Sequence, residues 1–347
     1  MMEVLNHLST LLLLSLLPPS LSHVVVKFSE VKECSDFFLE GTTPNLPGIL
    51  VDGTVKDQNR YKPICQKYKD KYRFATLYDT TNKIPVFSAY TFTGPPPKGR
   101  PDQPWMIEPQ LEDIKNIHDM KVDKNVKKQA ADADYEVKIK NMKIHRGHLF
   151  PCSYVPDMET KKSTFTLTNV VPQASSFNQV SWRSMECSVR KTLQKDCLDN
   201  NGKIKAYVVT GAVPSKSNTL NNRVNIPSLL WTAYCCYNST QRQWVAEAHW
   251  GENKKYVRGD RLPSNTLADL YKMLNQYYGD VKHSKDGVKV FPDDCQNGKQ
   301  DDTGRNGEAG AGQKRSGEMS GESKGSIKRQ RETGDEENDC DFDCDEE

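Results

Sequence analysis

After Leu17 the 347-residue sequence has no apolar run long enough to cross a bilayer, which takes about 20 residues. A membrane span beyond the leader is therefore not expected. No two cysteines are spaced as CxxC, which argues against a zinc ribbon, whose ligands come in such pairs. Net charge is also scarce, at +2, but it is unevenly spread. Residues 296–347 hold 8 Lys and Arg against 15 Asp and Glu, leaving 40 against 31 elsewhere, an excess of +9. A basic body suits a polyanionic partner, attracted without sequence preference and held through counterion release.

At the N-terminus, Leu11 to Leu17 is interrupted only by Ser15, and Pro18-Pro19 and Ser20-Leu21-Ser22 follow. An apolar core ending in small residues predicts a secretory signal peptide over residues 1–22, cleaved near Ser22–His23, although no Lys or Arg precedes the leucines. Ten cysteines agree with an oxidising route. Eight of them (Cys34, Cys65, Cys152, Cys187, Cys197, Cys235, Cys236 and Cys295) precede residue 296 and are expected in disulfides whose pairing the sequence leaves open. Asn238-Ser239-Thr240 is a glycosylation sequon. The expected location is extracellular or in the secretory lumen.

Residues 23–295 are expected to form one domain, and 296–347 a charged tail disordered by composition. Lys314-Arg315 and Lys328-Arg329-Gln330-Arg331 mimic a bipartite nuclear signal, which a signal peptide would override. The Asp335–Glu347 block reads as an imitation of a nucleic-acid backbone competing for the basic body. Truncation near residue 296 is then expected to raise DNA affinity at low salt, and unchanged binding would remove the idea.

Within the domain, strands are expected over 72–78, 84–92, 164–171, 206–211, 229–237 and 244–249, where β-branched and aromatic residues gather between turn signals. Pro172-Gln173 reads as a turn leading to a helix over about 178–193, and a last helix is expected over 267–277. Residues 112–143 are rich in lysine, as a solvated face or as one wall of a nucleic-acid groove.

His145-Arg146-Gly147-His148 reads as a strand end, a glycine-permitted turn and a histidine at the rim. Asn178, Trp182, Glu186 and Arg190 follow four apart, drifting down one side of a helix at about 40° per step. A histidine, an amide, a carboxylate and an arginine are the parts that cut a phosphodiester with one metal ion. His145 and His148 have no third ligand spaced to complete a zinc site. Glu186 and Arg190 alone would be an ordinary helical ion pair.

His145-Arg146-Gly147-His148-Leu149-Phe150-Pro151 resembles the DRGH signature of the DNA/RNA non-specific endonucleases, a ββα-metal (His-Me finger) family. Thr168-Asn169-Val170-Val171-Pro172-Gln173, then Asn178-Gln179 and Trp182, resembles the second family segment, N-x-x-P-Q…N-Q-x-x-W. Upstream, Phe74-Ala75-Thr76-Leu77-Tyr78 and Trp105-Met106-Ile107-Glu108-Pro109-Gln110-Leu111 are similar to the endonuclease domain-containing 1 branch of vertebrates. The resemblance covers about residues 30–290 and implies an α+β fold, with a central antiparallel sheet flanked by helices.

It further implies a sequence-nonspecific endonuclease acting on DNA or RNA with Mg²⁺, for which Mn²⁺ can substitute. His148 would be the general base, Asn178 the metal ligand, and Glu186 the carboxylate holding metal-bound waters. Arg190 and Arg100 would pair with phosphate oxygens. Arg146 and Lys143 would position substrate, with a structural role for Arg146 left open. One departure stands out: His145 occupies the place of the signature aspartate. A catalytically weak nucleic-acid- or protein-binding module on the same fold is the alternative reading.

Overall fold

The computed structural model describes residues 23–136, 143–278, 287–293 and 295. The expected signal peptide, the charged tail, and Lys138 and Lys140 of the lysine-rich stretch lie outside the described residues. Six antiparallel strands form the central sheet: β1 (Tyr61–Tyr68), β2 (Lys71–Asp79), β3 (Ile84–Phe92), β6 (Ala206–Val213), β7 (Leu229–Asn238) and β8 (Gln243–Glu252). Between β3 and β6 the chain leaves the sheet to build a ribbon, β4 (Ile144–His148) paired with β5 (Val170–Ala174). The strand order across the sheet is β8-β7-β6-β3-β2-β1. Helix α1 (Met158–Ser163) lies between the ribbon strands in sequence, α2 (Arg183–Asp196) follows β5, and α3 (Leu267–Leu274) follows β8.

Both faces of the sheet are covered at its centre, so β6 and β7 are buried at nearly every position rather than alternately. Side-chain alternation divides the interior into two cores. Leu229, Trp231, Ala233 and Cys235 of β7 pack on one side with Phe28, Phe38, Leu270 and Phe291. Leu230, Tyr234 and Cys236 pack on the other with Phe150, Val171, Phe177, Trp182 and Val189, and this second layer carries the ββα unit of β4, β5 and α2. Disulfides link Cys34–Cys65, Cys197–Cys236 and Cys235–Cys295. Cys152 and Cys187 are also disulfide-bonded. Among the described residues no helix is long and apolar enough to cross a membrane.

Several local expectations need correction. Pro172 and Gln173 lie inside β5, opposite Arg146 and His145, and do not form a turn. Proline is tolerated there because β5 is ribbon edge, where a ladder N–H is dispensable. Asn253 covers that edge, accepting from the Ala174 N–H at 2.8 Å and donating to the Pro172 carbonyl at 2.9 Å. Residues 164–169 are not a continuous strand; only Thr166 bridges, to Met106. Strand β1 is an addition, obscured in the sequence by Lys62, Pro63 and Lys67.

Candidate active site

Strand β4 runs through Gly147 to His148, so no turn separates the two. Gly147 has no left-handed backbone; a methyl group there would collide with the side chain of Gln173, packed across the ribbon. What the position requires is close approach, not turn geometry. Alternation then sorts the signature onto two faces of the ribbon. Arg146 and His148 share the face that meets Trp105, while His145 and Gly147 share the face that meets Gln173 and Asn178.

On the first face His148 is 8% exposed, set 5.4 Å from the Trp105 ring and 5.1 Å edge-on from Phe165. Its Nε2 is buried without a hydrogen-bond partner. Burial, followed by the Arg100 charge, lowers its pKa from the usual 6.5 to about 3. Arg100 lies over the other contact of the same ring, 5.3 Å from the Phe165 centroid. The backbone beyond His148 is fixed by Asn169, a fully buried hub. Its Oδ1 accepts from the Phe150 N–H and the Ser88 hydroxyl, each at 3.0 Å, and its Nδ2 donates to the Phe150 and Thr164 carbonyls.

Arg146 is engaged within the protein. Its guanidinium meets Asp132 Oδ1 at 2.7 Å and lies 5.5 Å from the Trp105 ring and 5.1 Å from Tyr135.

On the second face Asn178 is 8% exposed and lies in a π-helical stretch, Phe177–Trp182, before α2 begins. The continuous α-helix expected from Asn178 is therefore corrected: the Arg183 N–H reaches back five residues to the Asn178 carbonyl. Such single π turns collect at functional sites, where one extra residue re-aims a side chain. Tyr256 stacks on Phe177 at 4.9 Å and its N–H donates to Ser176 Oγ at 3.0 Å, holding the turn from outside. The Asn178 amide lies 3.5 Å from His145 Nδ1.

Further along α2, Glu186 is half-buried and Arg190 is 5% exposed. The Tyr154 hydroxyl donates to the Glu186 carbonyl at 2.6 Å. Burial, then the Glu186 charge, push the Tyr154 phenol well above its ordinary value, while Arg190 opposes them. Arg190 also acts on Lys161, which burial shifts downward. Lys143 precedes β4; it is exposed, and its charge adds to burial in lowering His145.

The sequence profile of the DNA/RNA non-specific endonucleases matches residues 55–278, well over half of the chain. The chain belongs to that family. It is 34% identical over 213 residues to the endonuclease domain-containing 1 protein of Homo sapiens, covering 59% of this chain and 39% of the relative. The Mus musculus protein of the same name is 33% identical, covering 59% and 38%. A nuclease of Serratia marcescens is 26% identical over 173 residues, covering 49% of this chain and 58% of the relative. The chain thus spans about two fifths of the length of its human and mouse relatives. Among solved structures, a chain of the EndoG/EndoGI complex is similar at a TM-score of 0.45 and 16% identity, covering 60% of this chain and 84% of that one.

Three residues of this candidate site carry no assignment in the sequence. Asn169 and Gln173 are visible only as letters of a family segment, because what they touch, Ser88 and Phe150 for Asn169 and Gly147 for Gln173, lies elsewhere in the chain. Lys161 gave no signal: it is fully buried, and its ammonium donates to the Pro97 and Gly99 carbonyls at 2.8 and 2.7 Å, tying down the segment that presents Arg100.

Among the described residues no group of three or more His, Cys, Asp and Glu side chains forms a metal cage. An ion that keeps most of its own waters needs no such cage. The interior around Asn178 suits that kind of guest. His145 Nε2, both amide atoms of Gln173, Ser181 Oγ and Trp182 Nε1 are buried without partners. Each such atom costs about 1–3 kcal/mol unless satisfied. A water shell would satisfy several at once.

Proposed function

We propose that the chain is a secreted, metal-assisted hydrolase that cuts DNA or RNA phosphodiesters without sequence preference. The observation that carries this reading is that His148 and Arg100 both pack on Phe165, with the backbone just beyond His148 held by Asn169. His148 Nε2, bare of partners, takes the proton from an attacking water. Arg100 and Arg190 pair with phosphate oxygens as charge develops. Glu186 orients water from α2, and Lys161 keeps Arg100 in place. Asn178 would hold a hydrated divalent ion, Mg²⁺ or in its place Mn²⁺, which supplies Lewis-acid charge at the departing oxygen. The bridges joining Cys34 to Cys65, Cys197 to Cys236 and Cys235 to Cys295 support passage through an oxidising compartment.

A binding module without turnover is the second reading, and it is favoured by the low basicity of His148. The two part in one assay: supercoiled plasmid and structured RNA are incubated with the protein and a divalent ion, with and without EDTA. Cleavage abolished by the chelator is expected. Retention of substrate on the protein with no cutting under any ion would give the site to the binding module.

A further inference from the structure

His145 replaces the aspartate of the family signature, and the structure shows where that exchange is felt. The imidazole is 3% exposed and lies with Nδ1 3.5 Å from the Asn178 amide nitrogen, Nδ2. The oxygen and nitrogen of an amide exchange places by a half-turn, so either Asn178 atom can face the ring. Two ligands about 2.1 Å from an octahedral ion lie about 3.0 Å apart, close to the separation of these groups. Gln173, directly across the ribbon from His145, has both amide atoms buried and unpartnered, and so does the far nitrogen of the ring, Nε2. A ligating imidazole commonly donates its second N–H to an oxygen nearby.

The geometry points to His145 as a second, nitrogen ligand beside Asn178, which changes the ion this endonuclease prefers from Mg²⁺ to a first-row transition ion with greater affinity for nitrogen, Co²⁺ above all and Mn²⁺ to a lesser degree. The inference rests on the reading of Asn178 as the metal ligand. Aspartate would offer a hard, charged oxygen, which suits Mg²⁺; imidazole offers a neutral, softer nitrogen, which Mg²⁺ binds poorly and transition ions bind well. Exchanging one for the other lowers the site's negative charge and turns its selectivity. His148 is not part of this ligand pair: its ring packs on Trp105 and Phe165, and the imidazole beside Asn178 is that of His145.

The test uses the purified full chain without nucleic acid. Mn²⁺ binding is followed by electron paramagnetic resonance, with Mg²⁺ as competitor, for wild type, His145→Asp and Asn178→Ala. Wild type is expected to resist displacement by Mg²⁺, and His145→Asp to shift the Mn²⁺/Mg²⁺ preference toward Mg²⁺ by about 10-fold or more. Electron spin-echo modulation from a directly bound imidazole nitrogen should be present in wild type and absent in His145→Asp. Should that variant fail to fold, His145→Gln, which keeps the side chain neutral, carries the same comparison. An unchanged preference, or a nitrogen signal that survives loss of His145, overturns the inference. Selective Mn²⁺ binding by a protein that never cleaves leaves it standing while removing the nuclease reading. Loss of all binding in Asn178→Ala with no nitrogen signal in wild type restores a site built on Asn178 alone.

Discussion

Replacing His148 by alanine is expected to slow plasmid cleavage by roughly 10²–10⁴-fold, the usual worth of a positioned general base. His148→Gln should fall by a similar factor while keeping much of the contact with Trp105 and Phe165, so loss of packing is separated from loss of the base. DNA affinity should change little, because Arg100 and Arg190 remain. Equal rates in wild type and both variants would exclude the histidine from the chemistry. The pH profile adds a second signature. With its pKa held near 3 rather than 6.5, His148 stays unprotonated throughout the neutral range, and the acid limb of kcat/KM should lie well below pH 6.5. Stability moves in the same sense: between pH 6.5 and about 3 the unfolded chain takes up a proton that folded His148 refuses. Stability therefore falls as pH falls through that window, and His148→Gln should lose this component. Urea midpoints measured across the range would show it.

Removing the Cys197–Cys236 bridge, as Cys197→Ser with Cys236→Ser, is expected to cost about 2–4 kcal/mol of stability. The bridge joins the C-terminal end of α2 to the C-terminal part of β7 and closes a loop with a sequence separation of 39 residues. Without it the unfolded chain regains the freedom of that loop, and the helix carrying Glu186 and Arg190 loses its covalent tie to the sheet. A drop in the urea midpoint, with a steeper slope because the uncrosslinked chain exposes more surface on unfolding, is the expected result. A midpoint unmoved within error would show that packing of Met185, Val189 and Leu193 alone holds α2. Activity at low temperature should survive far better than stability, since neither cysteine approaches His148 or Asn178 through any contact described above.

Much of the architecture was legible because long apolar strands and an amphipathic helix announce themselves locally. Residues 84–92 and 206–211 need no partner to be recognised, since their β-branched and aromatic content settles the matter. The failures share one cause. Proline and glycine were read for their own backbone preferences, whereas Pro172 and Gly147 answer to neighbours: an edge covered by Asn253, and a close approach by Gln173. The π turn was hidden because a four-residue spacing fits an ordinary helix, and the extra residue shows only in the bond from Arg183 to Asn178. The residue types proposed for the site were visible in the sequence. Their environments were not, because the box around His148 draws on Trp105 and Phe165, from separate stretches of chain. Likewise Lys161 acts through carbonyls some sixty residues upstream.

The adjacent pair Cys235-Cys236 has a consequence for assembly. Being neighbours on a strand, they face opposite ways: one is bonded to Cys295 in the first core, the other to Cys197 in the second. If β7 slid by a single position against β6 and β8, every side chain would change face, and both cysteines would point away from their partners. The correct register is the one in which both crosslinks close together. A slip by one puts one cysteine in the other's slot, so at most one bridge, a wrong one, can close; the remaining thiols stay reactive and reopen it by exchange, whereas a β7 laid down in phase is sealed twice.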